Sequence, residues 1–164
     1  MLRRLSFKSI TLSEFKESNR LDRMALFTDA EQERIRQAIE AAESHTSGEI
    51  RIGAEKHCKE DPLDRAANYF HKIGMDKTAL RNGVLIYIAT EDHKFAIIGD
   101  AGINKVVPPD FWDTTKEAML AHFKAGELVE GLITGINMAG HELKHFFPYE
   151  DGDSNELSND ISYI

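Results

Sequence analysis

Apolar positions along the chain recur with two different periods, and these separate helices from strands. Ile35, Ala38, Ile39 and Ala42 fall at helical spacing. Before them stands Thr28-Asp29-Ala30-Glu31. In such a capping box the threonine hydroxyl accepts the backbone N–H three residues on, and the glutamate reaches back. The pattern predicts an amphipathic helix from Asp29 to about Ser44, broken by Thr46-Ser47-Gly48. From Glu49 to His57 the period changes to two, with Ile50, Ile52 and Ala54 alternating against Glu49, Arg51 and Glu55. That is a strand with one covered face. Asp61-Pro62 opens a second helix, with proline at the first position, where its missing N–H costs nothing. Leu63, Ala66, Ala67 and Phe70 form its buried stripe, and Ile73-Gly74 ends it. Met75 to Arg81 is a loop.

Val84-Leu85-Ile86-Tyr87-Ile88-Ala89 is the most apolar run. It is short, rich in β-branched residues and preceded by Asn82-Gly83, which marks a central strand covered on both faces. A turn at Glu91–Lys94 returns the chain as Phe95–Gly99. After Pro108-Pro109 a helix runs from Asp110 through Trp112, Met119 and Phe123. A last helix runs from Gly126 to about Phe146, striped by Leu128, Leu132, Ile136, Ala139 and Leu143, and Pro148 ends it. The order is α-β-α-β-β-α-α. Two strands joined through a helix are parallel with a right-handed crossover, and the third returns antiparallel. The expected fold class is therefore α/β, a three-layer α/β/α sandwich around a small mixed sheet.

Composition narrows the function classes. The 164 residues carry a net charge of −8, and 41% are hydrophobic. A chain of this length buries enough surface to fold as one domain without staples. The acidic balance argues against a general nucleic-acid binder. One cysteine, Cys58, excludes an internal disulfide or a paired-cysteine zinc site. No apolar run reaches the ~18 residues of a membrane span. Residues 1–26 are expected to form a poorly ordered leader, basic at its start but without the continuous apolar core of a signal peptide. Met24 is a second candidate start. Residues 149–164 form an acidic tail, expected to be loosely held. A cytoplasmic location follows as an expectation.

Topology locates the candidate chemistry. The starts of the two parallel strands and the finish of the third fall at one end of the sheet. Ser47-Gly48, Asn82-Gly83 and Gly99-Asp100-Ala101-Gly102 thus meet on one rim. Glycine lets backbone approach closely and turns N–H and C=O groups toward a ligand. Glu49, Asp76, Asp100, Asp110 and Asp113 are the carboxylates within reach of that rim, and hard divalent cations take such oxygens. Ser47, Gly48, Arg81, Asn82, Gly83 and Gly102 shape it. Ordinary turn glycines and capping acids explain the same residues, with Asp110 and Asp113 simply favouring a helix start.

Phe27-Thr28-Asp29, Thr46-Ser47-Gly48-Glu49-Ile50-Arg51, Arg81-Asn82-Gly83-Val84-Leu85-Ile86 and Gly99-Asp100-Ala101-Gly102-Ile103 stand in order along the chain. Together they resemble the TPM-domain family, which includes thylakoid-lumen proteins of photosystem repair. The pattern spans Phe27 to Phe147, so residues 27–148 read as one TPM-like domain. Phe146-Phe147-Pro148-Tyr149, Asn155-Glu156-Leu157 and Asp160-Ile161-Ser162 resemble the tails of soluble bacterial members. The resemblance implies an α/β/α sandwich, a bound divalent cation (calcium or magnesium) and, for some members, weak acid phosphatase activity. It carries over to Gly48, Asn82, Gly83, Asp100 and Gly102. The family often has Gly-Tyr-Gly where this chain has Gly99-Asp100-Ala101-Gly102, a departure that adds a carboxylate. Phosphatase chemistry here would be metal-assisted, with Arg81 or Lys105 holding phosphate charge.

A competing motif is His141-Glu142-Leu143-Lys144-His145, which matches the H-E-x-x-H of zinc peptidases. It stands at the fraying end of its helix, no third ligand follows at the usual spacing, and the apolar stripe runs through Ala139 and Leu143 instead. A third class is a non-catalytic module whose rim docks a protein partner.

Overall fold

The computed structural model describes residues 26–164. The leader and the Met24 start lie outside the described residues. Five helices and four strands follow in the order α1 (Asp29–Glu43), β1 (Glu49–Glu55), α2 (Pro62–Lys72), β2 (Gly83–Ala89), β3 (Lys94–Gly99), α3 (Ala101–Asn104), α4 (Phe111–Lys124), α5 (Leu128–Phe146) and β4 (Ser162–Tyr163). The capping box before α1 is present, with Thr28 and Glu31 bonded to each other's backbone N–H. Asp61 caps α2 by accepting from the N–H groups of Leu63 and Asp64.

The sheet is ordered β3-β2-β1-β4. β1 and β2 are parallel, Glu49 opposite Gly83, and β3 returns antiparallel, Gly99 opposite Val84. Every residue of β2 is buried, as a strand covered on both faces requires. Ile50, Ile52, Val84, Ile86 and Ile97 pack on one face against α1, α4 and α5. Leu85, Tyr87 and Ala96 pack on the other against Ala66, Tyr69 and Phe70 of α2. Full burial of each large apolar side chain contributes roughly 1.5–3 kcal/mol, and these two layers hold the sheet between helices.

Besides a 3-10 turn at Met75–Lys77 within the expected loop, two elements lie outside the sequence pattern. α3 is a single turn started by Asp100, whose carboxylate accepts from the Ala101 N–H. The second corrects the expectation of a loose tail. Ser162 and Tyr163 pair in parallel with Gly53 and Ala54, and the Ile164 N–H donates to Ala54 at 3.0 Å. Ile161 is buried in the core, and the Tyr163 hydroxyl donates to Gln32 at 2.7 Å. The physical reason is the free edge of β1. An unpaired edge exposes a row of backbone donors and acceptors, and the last residues cover it.

Candidate functional site

The strand polarity that the sequence implies is the polarity observed, so the three turns share one rim. The Asp100 N–H donates to Gly83 at 2.9 Å, and the Gly102 N–H donates to Arg81 at 2.8 Å. Asn82 reaches from the start of β2 to Ser47, its amide 3.4 Å from the hydroxyl. Thr46 ties the rim to the end of α5, its hydroxyl accepting from the Gly48 N–H at 3.0 Å and lying 3.0 Å from the Leu143 carbonyl. Gly102 has to be glycine for space. A Cβ there would fall against the Leu80 carbonyl oxygen and 2.6 Å from that of Arg81.

One side of the rim is an ion pair. Arg81 Nε and Nη2 donate to the two oxygens of Asp100 at 2.6 and 2.7 Å. The Asp100 side chain is 6% exposed and that of Arg81 is 51% exposed, so the pair anchors a guanidinium facing solvent. Arg81 holds a left-handed backbone, φ 52°, a conformation that costs a non-glycine residue roughly 1–2 kcal/mol. Asp100, bonded also to the Ala101 N–H, keeps it there. The fork uses two of the five guanidinium N–H donors and leaves the rest to meet an anion.

The other side is a pair of carboxyl groups. Glu43, the last residue of α1, accepts from the Ile50 N–H at 2.7 Å. Glu49 accepts from the Glu156 N–H at 2.6 Å, which pins the tail across the start of β1. The two side chains face the same cleft, and the charge of Glu49 bears on Glu43. Glu49 is 2% exposed, and its second oxygen, Oε2, is buried with no partner. Burial pushes Glu43 well above the usual carboxylate range, and its neighbour adds to the push. Burial does the same to Glu49, against the pull of the Glu156 N–H that it accepts, while the charge of the Glu156 carboxylate pushes it further up. Both line a cleft of about 460 Å³ whose far wall is the tail, with Tyr149, Asp153, Asn155 and Asn159.

Orphaned oxygens gather nearby along the chain. Asp76 Oδ1, Thr78 Oγ1 and Asn82 Oδ1 are buried without partners, all within the short stretch feeding β2. Asp76 also pairs with His71 at 2.6 Å. Asp100 is committed to Arg81. Asp110 and Asp113 are exposed at the start of α4, and Asp110 lines a shallow groove with Asn137, His141 and Glu142. Of the five carboxylates singled out in the sequence, only Glu49 meets a second carboxyl group at the rim. Among the described residues, no three histidine, cysteine or carboxylate side chains converge as a metal-ligand set. His141 and His145 are exposed at the end of α5, and nothing among the described residues completes a zinc centre there.

Sequence reasoning missed Glu43, which reads as one more acid on a helix surface. It also missed the tail's contribution. The signal was there: Asp151, Asp153 and Asn155 alternate as oxygen-bearing residues, like the first ligands of an EF-hand loop but without its glycine.

A family model for the TPM domain matches residues 21–142. The chain belongs to the TPM-domain family. The BA42 protein of the psychrophilic bacterium Bizionia argentinensis is 49% identical, with a TM-score of 0.78 over 84% of this chain and 95% of that one. Two more distant structures share the fold. The N-terminal domain of cg2496 from Corynebacterium glutamicum is 13% identical, with a TM-score of 0.58 over 80% of this chain and 79% of that one. The N-terminal domain of a protein from P. gingivalis is 17% identical, with a TM-score of 0.61 over 76% and 83%. None of the curated proteins compared matches the chain. No helix among the described residues is long and apolar enough to cross a membrane.

Proposed function

We propose that this TPM-domain protein binds a divalent cation, calcium or magnesium, between Glu43 and Glu49 at the start of β1. The observation that carries the reading is Glu49 Oε2, a buried oxygen with no hydrogen-bond partner beside a second carboxyl group. A buried acceptor left unmade costs about 1–3 kcal/mol, more when charged, and a cation removes that cost. The donor set suits a hard ion. Two carboxylates are oriented by the N–H groups of Ile50 and Glu156. Ser47, Asp153, Asn155 and Asn159 add oxygens around the cleft. Calcium accepts such a mixture of carboxylate, amide and hydroxyl oxygens, and magnesium binds through one or two carboxylates while keeping water.

The same rim supports weak phosphomonoester hydrolysis. A bound divalent cation would supply Lewis-acid polarisation of a phosphoryl oxygen. Arg81 is the phosphate-holding residue in this reading, because Asp100 fixes its guanidinium while leaving it exposed. Lys105, at the end of α3, has no such anchor among its hydrogen bonds. Hydrolysis of p-nitrophenyl phosphate should therefore require added calcium or magnesium and vanish with chelator. Arg81→Ala should lower kcat/KM by about tenfold or more, the loss of one charge-assisted fork. Turnover that ignores the chelator contradicts the metal-assisted reading. Absent turnover at every pH with metal present leaves a cation-binding module that docks a protein partner.

A further inference from the structure

At the opposite end of the sheet from the rim, a second cavity opens. Its volume is about 510 Å³, within the ~300–1,000 Å³ of small-molecule sites. Ile88 and Ala89 at the end of β2, Phe95 on β3, Leu120 and Phe123 on α4 and Leu128 on α5 form its walls. Phe95 and Phe123 meet edge to face, with ring centres 4.8 Å apart. Phe123 is braced from behind by Gly131, where any Cβ would collide with its ring. The aromatic wall is therefore fixed before any ligand arrives. Leu120, 37% exposed, stands at the mouth.

The charge at the mouth runs against that of the protein. The chain carries −8 overall, yet no acidic side chain lines this cavity. Lys94, His93 and Lys124 do line it. Lys94 is committed, its ammonium donating to the Cys58 carbonyl at 2.9 Å. Lys124 is exposed and makes no hydrogen bond or ion pair among those of the described residues, and His93 is exposed beside it on the lining. An apolar chamber closed by aromatic rings and opened past a free lysine matches one kind of molecule. Its body is apolar and its head is anionic.

We propose that this cavity binds a small amphipathic carboxylate, with its chain against Phe95, Phe123 and Leu128 and its head at Lys124. The site is independent of the cation rim. Burial of the chain supplies affinity, and the lysine supplies orientation and the choice of an anion over a cation.

Decanoate, below its micelle concentration, is the probe. Titrated into the isotope-labelled full chain, it should give saturable NMR shifts confined to Phe95, Phe123, Gly126 and Leu128. Decylamine, with the same chain and the opposite head, should bind about tenfold or more weakly, and decanol in between. Lys124→Glu changes an exposed residue and should reverse the preference between acid and amine. Leu120→Trp, at the mouth, should block both, with the unchanged spectrum elsewhere confirming its fold. Equal binding of acid and amine would overturn the proposal. So would shifts that do not saturate or that spread over the surface.

Discussion

Gly102→Ala lowers the free energy of unfolding by about 3 kcal/mol, a far larger loss than a surface substitution gives. The cause is backbone against backbone. The new methyl group would overlap the carbonyl oxygens of Leu80 and Arg81, and neither belongs to a side chain that can swing aside. The Gly102 N–H is bonded to the Arg81 carbonyl, so relief of the overlap also breaks that bond. Arg81 in turn loses the geometry that holds its guanidinium on Asp100. Gly126→Ala is the control. Gly126 has φ +77° but open space around it, so only the ~1–2 kcal/mol of a left-handed alanine applies. Urea denaturation of both variants separates the two effects. Equal losses, or a loss at Gly102 below about 1 kcal/mol, would mean that the turn yields and the rim is not rigid.

Chelator-treated protein is most stable in mild acid and loses at least the ~1.4 kcal/mol of one pKa unit as the pH rises to about 8. Glu43 and Glu49 set the sign. Both have folded pKa values raised above the ordinary 4.5, Glu43 to about 8 and Glu49 to about 7. Between those values and 4.5 the folded chain holds a proton that the unfolded chain has released. Their contribution is therefore full below pH 4.5 and is lost through pH 7 to 8. Glu43 also ends α1, where the helix dipole disfavours negative charge. The cleft's other charged groups are Arg36, Glu40 and Asp153, with Glu156 bearing on Glu49. Arg36 is engaged with Glu33 and Glu40 and cannot neutralise the pair. Calcium takes the place of the protons that these two groups hold in the folded chain, so it should stabilise strongly at pH 8 and little at pH 5. The double substitution Glu43→Gln with Glu49→Gln should flatten both dependences. Melting curves at three pH values, with and without calcium, read this directly. A stability that rises from pH 5 to 8 without metal would refute the paired-carboxyl account.

Where burial follows period, the sequence was legible. α1, β1, α2, β2, β3, α4 and α5 all follow from stripes and caps, because each buries one continuous apolar face. Strand polarity followed from connection rules, and with it the meeting of the three turns. Legibility ended where an element is short or where a side chain's partner is distant in sequence. β4 has only two paired residues and rests on Ile161 and Tyr163 within a polar segment. Glu43 and Glu49 are six residues apart, on a helix and a strand, and only the turn at Thr46–Gly48 brings their carboxyl groups together. Asp100 illustrates the converse. The sequence pattern places it on the rim as an open carboxylate, yet it is filled on one side by Arg81 and on the other by its own helix start. A carboxylate's place on a rim follows from topology, but whether its oxygens are free depends on cations whose side chains sequence spacing does not aim.

Calcium titration of chelator-treated, isotope-labelled protein, followed at the backbone amides, tests the central claim most directly. Saturable shifts should centre on Gly48, Ile50 and Glu156, whose N–H groups lie on or beside the paired carboxyl groups, and should disappear with Glu49→Gln. Shifts gathered instead at Asp110, His141 and His145, or no saturable shift at all, would show that the start of β1 holds no cation.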